Sequence, residues 1–372
     1  MAKINILINV SNLHVGGGVQ VAASFISELY KLQEYDLSII SSRKVYDNIA
    51  RGVDVSKFNS FVVCNVEGGK RLSKSQKKLF AGYDLCLTLF GPFYYKPKVA
   101  EHICGFAQAW IAYPKNVAYK KLKFTEWFKS KIKFSVQSFF FKKYNHLVVE
   151  QQHVKDALIK IGYQSKISVV SNCVSSVYDD EAMWLPLSLD IEQLPETITL
   201  GFIGRAYPHK NIAILRSVDE ILKSKYQLSC NFVLTFTEEE MQQYHFSKLE
   251  NFYSVGEISI NQCPDFYNSI DALVFPSLLE CFSASPIEAM KMNTTVIASD
   301  YPFVSETCGD AAYYFDPLVA ESVADAIYQA FSNPELREAK LLMGNEKAKH
   351  LSTARDRAIS YLNIIKSIRP NN

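Results

Sequence analysis

Short apolar runs alternate with amphipathic stretches along the whole chain. Ile4–Val10 reads as a strand from its continuous apolar run, and Val21, Ala22, Phe25, Ile26 and Leu29 then recur at helical spacing. Leu37–Ile40, Ser60–Cys64, Leu85–Phe90 and His146–Val149 are further strands. After Ser176 the pattern loosens into Asp179–Pro186, with Pro195 beyond, and this predicts a connection between domains. A second series begins at Thr197–Ile203 and continues through Asn231–Thr237, Ala272–Phe275, Thr295–Ala298 and Ala312–Phe315, with helical segments between. In the last stretch, Ala354–Ile368, the residues Ala358, Tyr361, Leu362 and Ile365 share one face. Such alternation predicts α/β domains, each a parallel sheet with helices on both faces. The boundaries fall at 1–180 and 197–353, and 372 residues suit two domains of ordinary size.

Composition narrows the classes. The net charge is +2, which does not favour nucleic acid as a partner. The eight cysteines are dispersed singly with no C-x-x-C, which argues for reduced core thiols in a cytoplasmic protein and against zinc or a disulfide framework. The first apolar run lacks the length and cleavage site of a secretion signal, and no stretch reaches the apolar length of a membrane-spanning helix.

The chemistry concentrates in Glu280–Met290. It follows the apolar strand Ala272–Phe275, and Ser283 or Ser285 can cap the helix that Pro286 opens. The N–H groups of a helix start attract phosphate. A carboxylate on the loop and another in the first turn can accept hydrogen bonds from hydroxyls. The ligand implied is polyhydroxylated and phosphorylated, as a nucleotide sugar is. The alternative is an ordinary helix whose acidic first turn answers the helix dipole.

The segment resembles the E-x7-E motif of family-4 retaining glycosyltransferases, with Cys281 where that family usually has glycine. The resemblance implies the GT-B fold: two Rossmann-like, doubly wound parallel-sheet domains facing a cleft, with the C-terminal helix (354–372) crossing back to the first, acceptor-side domain. It implies that Glu280 contacts the donor sugar and Glu288 the ribose hydroxyls, with Phe282, Ser283, Ala284, Glu257 and Ile258 also on the donor side. Gly201–Asn211 resembles the family's G-R-x-x-x-x-K-N stretch. There Gly204 lets the backbone approach a ligand, and Arg205 and Lys210 neutralise the donor diphosphate. Glu280, Arg205 and Lys210 are thus the catalytic candidates. Fixed cations at the leaving group, with no D-x-D motif, imply a metal-independent hexosyltransferase without a cofactor, using a donor of the UDP or GDP type.

Ser11–Val19 is a glycine-rich loop after the first strand, but it is not G-x-G-x-x-G. The resemblance sets Gly17 and Gly18 against the donor; His14 reads as structural. Val148–Lys155, Ile167–Val174 and Ser299–Glu306 also resemble family segments. Where many members carry a histidine after a middle strand of the first domain, this chain reads His102–Trp110, with Gln108 the best match and Trp110 beside it on the sugar or acceptor side. Glutamine cannot act as a base, but it can hydrogen-bond a hydroxyl.

Lys115–Lys143 holds nine lysines and one acid, Glu126, interleaved with aromatics. It reads either as a solvated helix packing its aromatics inward or as a surface that lies on an anionic membrane. The second suits a glycan acceptor on a polyprenyl lipid, in O-antigen or capsule synthesis, at the inner face of the cell membrane. Two rival readings stand beside this one. The first is a sugar-nucleotide epimerase of similar fold. The second is a degenerate subunit that only binds and supports a partner.

Overall fold

The computed structural model describes residues 4–189 and 191–368, the side chain of residue 192 apart. Thirteen strands form two all-parallel sheets among the described residues. The first holds β1 (Ile6–Val10), β2 (Leu37–Ser41), β3 (Ser60–Val63), β4 (Leu85–Thr88), β5 (Glu101–Gly105), β6 (His146–Val149) and β7 (Lys166–Val169), in the order β3-β2-β1-β4-β5-β6-β7. The second holds β8 (Ile198–Phe202), β9 (Cys230–Leu234), β10 (Phe252–Ser254), β11 (Ala272–Phe275), β12 (Thr295–Ser299) and β13 (Ala312–Phe315), in the order β10-β9-β8-β11-β12-β13. Central strands such as β2, β9 and β12 are buried at every position, as strands covered on both faces must be. Both are doubly wound, Rossmann-like sheets.

The chain divides into two compact units. One comprises residues 1–114, 128–173 and 352–372; the other comprises 115–127 and 174–351. In the first unit, Ala358, Tyr361, Leu362 and Ile365 enter the core beside Phe25 and Ile26. Tyr361 meets Phe25 edge-on at 5.5 Å. Arg357 of the same last helix is buried, donates to Asn172 Oδ1 at 2.6 Å and reaches Ser24 Oγ at 3.2 Å. Asn172 in turn donates to Glu150 Oε1 at 2.7 Å, so its role is structural.

Several strands are shorter than the runs that predict them, β1 by two residues at its start and β4 and β9 at their carboxyl ends. β4 stops at Thr88 and β9 at Leu234. Beyond β9, Thr237 caps a helix instead of extending the strand. Its hydroxyl accepts from Glu240 N in a capping box that starts the helix Glu238–Gln243. Residues 176–193, read as a plain connection, contain three short 3-10 turns, and the Trp184 indole N–H donates to Val177 O at 2.8 Å.

Candidate functional site

In both sheets the strand order reverses beside the first strand, where β8 lies between β9 and β11, and β1 between β2 and β4. At such a reversal the loops leave in opposite directions and open a crevice at the carboxyl ends of the strands. In the second unit, the loops after β8 and β11 carry the predicted cations and carboxylates.

The loop after β8 turns at Gly204, whose φ of 143° excludes a side chain. Thr235 Oγ1 fixes this turn by accepting from Gly204 N at 2.9 Å and donating to Gly204 O at 3.2 Å. Arg205 follows. Its Nε lies 3.2 Å from Glu240 Oε1 and its Nη1 pairs with the Glu257 carboxylate. Glu240 is held by the capping box and also accepts from Ala206 N at 3.1 Å. A short turn, Pro208–Lys210, ends at Asn211 in the left-handed region, where asparagine is favoured.

Lys210 Nζ stands 2.6 Å from Glu280 Oε1, and the two side chains are only 14% and 16% exposed. Ser277 Oγ donates to the same carboxylate oxygen at 2.9 Å. Lys210 also sits 5.0 Å from the centre of the Phe275 ring, the last residue of β11. The backbones of the two loops meet directly, since Leu278 N donates to His209 O at 2.7 Å. His209 stacks on Tyr207 and brings Nε2 to 4.0 Å from Glu280.

Glu288 lies in the first turn of the helix Ser285–Lys291 and is 8% exposed. Its carboxylate accepts from Tyr267 Oη at 2.9 Å, and Tyr267 also donates to Ser285 O. Burial pushes the Glu288 carboxyl above its usual value, opposed by the hydrogen bond from Tyr267. The expected serine cap is absent. Ala284 occupies the N-cap without a side-chain bond, and Ser285 is already helical. Cys281, in the usual glycine position, is not among the residues with positive φ, so this loop accepts a side chain there without strain. Phe282 and Ile258 pack half-buried against the core, and Ser283 is buried.

The structure thus joins Lys210 to Glu280 and Arg205 to Glu257, while Glu288 is held by Tyr267. Gly17, Gly18, Gln108 and Trp110 lie in the first unit. Gly17 begins the first helix, and a Cβ there would meet nothing within 4 Å, so packing does not demand glycine. Gln108 is the N-cap of Ala109–Ala112 and makes no cap bond with its side chain. Trp110 is stacked on Phe134 at 5.7 Å. His102 is a core residue of β5, bonded to Thr88 and driven by burial to about 3. His14 bonds Val66 O at 2.9 Å.

Sequence reading missed Thr235, Glu240, Tyr267, Ser277 and His209. Of these, only His209 lies inside one of the recognised motifs. Burial depresses its pKa, with Glu280 opposing and Lys210 reinforcing. The folded state therefore refuses a proton that the unfolded chain takes near 6.5, and stability falls as pH drops through that value. His209→Gln should lose less melting temperature than the parent between pH 7.5 and 5.5. Buried His102 and His146 keep part of the slope in both proteins. Parallel losses would show that His209 is not the group refusing the proton.

Residues 190–340 match the family described as Glycosyl transferases group 1. The O-antigen chain mannosyltransferase RfbU of Salmonella typhimurium is 29% identical over 190 residues, 50% of this chain and 51% of that protein. O-antigen chain mannosyltransferase B of Escherichia coli is 24% identical over 157 residues, 41% of each. The matches thus span about half the length of these relatives or less. Among solved structures, sucrose-phosphate synthase from Thermosynechococcus elongatus superposes with a TM-score of 0.66 at 13% identity, covering 98% of this chain and 99% of that one. This likeness extends the GT-B fold over both units.

Proposed function

We propose that this chain is a retaining, metal-independent glycosyltransferase. It moves a hexose from a nucleotide-diphosphate sugar of the UDP or GDP type to a hydroxyl of a growing O-antigen or capsule glycan. The glycan is carried on a polyprenyl lipid at the inner face of the cell membrane. Mannose is the first sugar to test, because both curated relatives are named mannosyltransferases. The observation that carries the reading is the Lys210–Glu280 pair, 2.6 Å apart at the strand-order reversal.

In this reading Lys210 and Arg205 exchange their carboxylate partners for the donor diphosphate. The bond from the anomeric carbon to the phosphate oxygen breaks and the bond to the acceptor oxygen forms on the same face. The acceptor proton passes to the departing phosphate. Gln108 has no basic group, and this scheme needs none. The cations lower the barrier by meeting the charge that grows on the leaving oxygen. Glu280, released from Lys210, is available to accept from hydroxyls of the sugar.

The test is a screen of UDP and GDP sugars by thermal shift, then transfer to short glycans with the product anomer read by NMR. An inverted product would remove the retaining assignment, and absence of both transfer and donor hydrolysis would favour the binding subunit. Activity should persist in EDTA, because in this reading protein cations face the diphosphate. Loss in chelator that manganese or magnesium restores would overturn metal independence.

A further inference from the structure

The helix Phe124–Phe141 has only Gln137 and Phe141 buried. Its opposite side exposes Phe128 (54%), Ile132 (52%), Val136 (48%) and Phe139 (59%). Their spacings of four, four and three residues set them in one line along the helix. Soluble monomers rarely leave so continuous an apolar strip in water.

The charges beside the strip share one sign. Between 128 and 143 there are five lysines and no acid. Counting 100° per residue, Lys129 and Lys133 fall on one flank of the strip, and Lys131 and Lys142 on the other. Lys131 is anchored, donating to Pro114 O at 2.7 Å. Lys143 lies 3.9 Å from the centre of the Phe139 ring, so its apolar stem covers ring surface while its charge stays in water. A convex apolar ridge between two rows of cations is complementary to a plane that is apolar inside and anionic at its surface. A protein groove would have to match the ridge in shape and carry acids on both walls.

We propose that this helix seats the chain on an anionic phospholipid bilayer. Phe128, Ile132, Val136 and Phe139 enter at headgroup depth and the flanking lysines meet lipid phosphates. The helix lies in the interface and does not cross it; no helix among the described residues is long and apolar enough to cross a membrane. The proposal names the contact surface for the lipid-linked acceptor reading and rests on that reading only for its biological purpose. Its test measures vesicle binding, so it fails or succeeds separately from transfer.

The experiment uses the full chain with vesicles of phosphatidylcholine containing about one-third phosphatidylglycerol, a content at which cationic segments gain from surface charge. The parent should co-sediment, and binding should weaken several-fold from 50 to 300 mM salt, since screening shortens the reach of the lysines. Phe128→Ser with Ile132→Ser and Phe139→Ser should weaken binding roughly ten-fold or more at low salt, as buried apolar area is lost. Lys129→Glu with Lys133→Glu and Lys142→Glu should abolish it. All six positions lie on the outer face or its flanks, and circular dichroism with melting curves establishes that the variants fold. Phe128→Trp supplies a second reading: its added fluorescence should be quenched by brominated lipid. Failure of the parent to bind, parent-like binding by the serine variant, or an unquenched tryptophan would overturn the proposal. So would a concentration-dependent dimer that the serine variant dissolves, because the strip would then belong to a second copy of the chain.

Discussion

Lys210→Ala should lower kcat/KM for transfer by about 2–4 kcal/mol, roughly thirty- to a thousand-fold, because a fixed charge is removed from where negative charge develops. Two features of the structure place the expected loss at Lys210 ahead of Arg205. Lys210 is 14% exposed, in a setting where water screens little, whereas Arg205 is 39% exposed. Arg205 also contacts two carboxylates, Glu240 and Glu257, whose attraction a donor must overcome. Arg205→Ala should therefore fall at the lower end of the range. Lys210→Ala also leaves Glu280 largely buried with Ser277 as its remaining hydrogen-bond donor among the contacts above, so some melting temperature should be lost as well. Lys210→Arg keeps the charge but not the compact ammonium, and should recover only part of the rate. The measurement is initial-rate kinetics on folded variants with saturating acceptor. Parent-like turnover in the Lys210→Ala, Arg205→Ala double variant would remove both residues from the reaction.

How much of this is legible in the sequence depends on the kind of signal. Parallel strands buried on both faces are unbroken apolar runs, and β1, β2, β6, β8, β11, β12 and β13 can be read that way. β10 is a three-residue edge strand, Phe252–Ser254, too short to show a period. Apolar runs overshoot the strand ends where they continue past the ladder, as at Leu89 and Phe236. Those side chains are buried beyond the last paired residue, so burial and pairing part company there. Arg205, Lys210 and Glu280 are legible because charged residues follow strand ends within recognisable segments. Glu240 and Tyr267 are not, because each reaches the site from a distant helix: Glu240 lies 35 residues beyond Arg205, and Tyr267 lies 21 before Glu288. The serine cap fails for a local reason. The helix begins one residue after Ala284, and at that register Ser285 has helical geometry while Ser283 is one residue too early. The lysine-rich segment shows its charge in the sequence, but only the helix reveals that its exposed aromatics and aliphatics fall in a line.

Glu288→Gln should separate binding from stability. Its carboxylate is buried, and burial raises its pKa above the usual 4.5. A carboxyl raised in the folded state costs stability when ionised: the penalty is absent below 4.5 and complete once pH exceeds the folded value. Glutamine carries no charge, is similar in size and still accepts from the Tyr267 hydroxyl. The variant should thus melt higher than the parent at pH 7, with the gain shrinking toward pH 4. If the carboxylate serves ribose hydroxyls, the same change exchanges charge-assisted hydrogen bonds for neutral ones. Affinity for free nucleoside diphosphate should then fall by about 1.5–3 kcal/mol, or roughly ten- to 150-fold. Glu280→Gln should behave oppositely, with the transfer rate lowered and free nucleoside diphosphate bound nearly as before. Calorimetric titration of the nucleotide, beside melting curves at pH 4 and 7, reads both effects. A Glu288→Gln protein that is more stable at pH 7 yet binds nucleotide like the parent would leave Glu288 a buried partner of Tyr267. The ribose would then need another acceptor. Equal losses of nucleotide affinity in the two glutamate variants would contradict the division of roles between them.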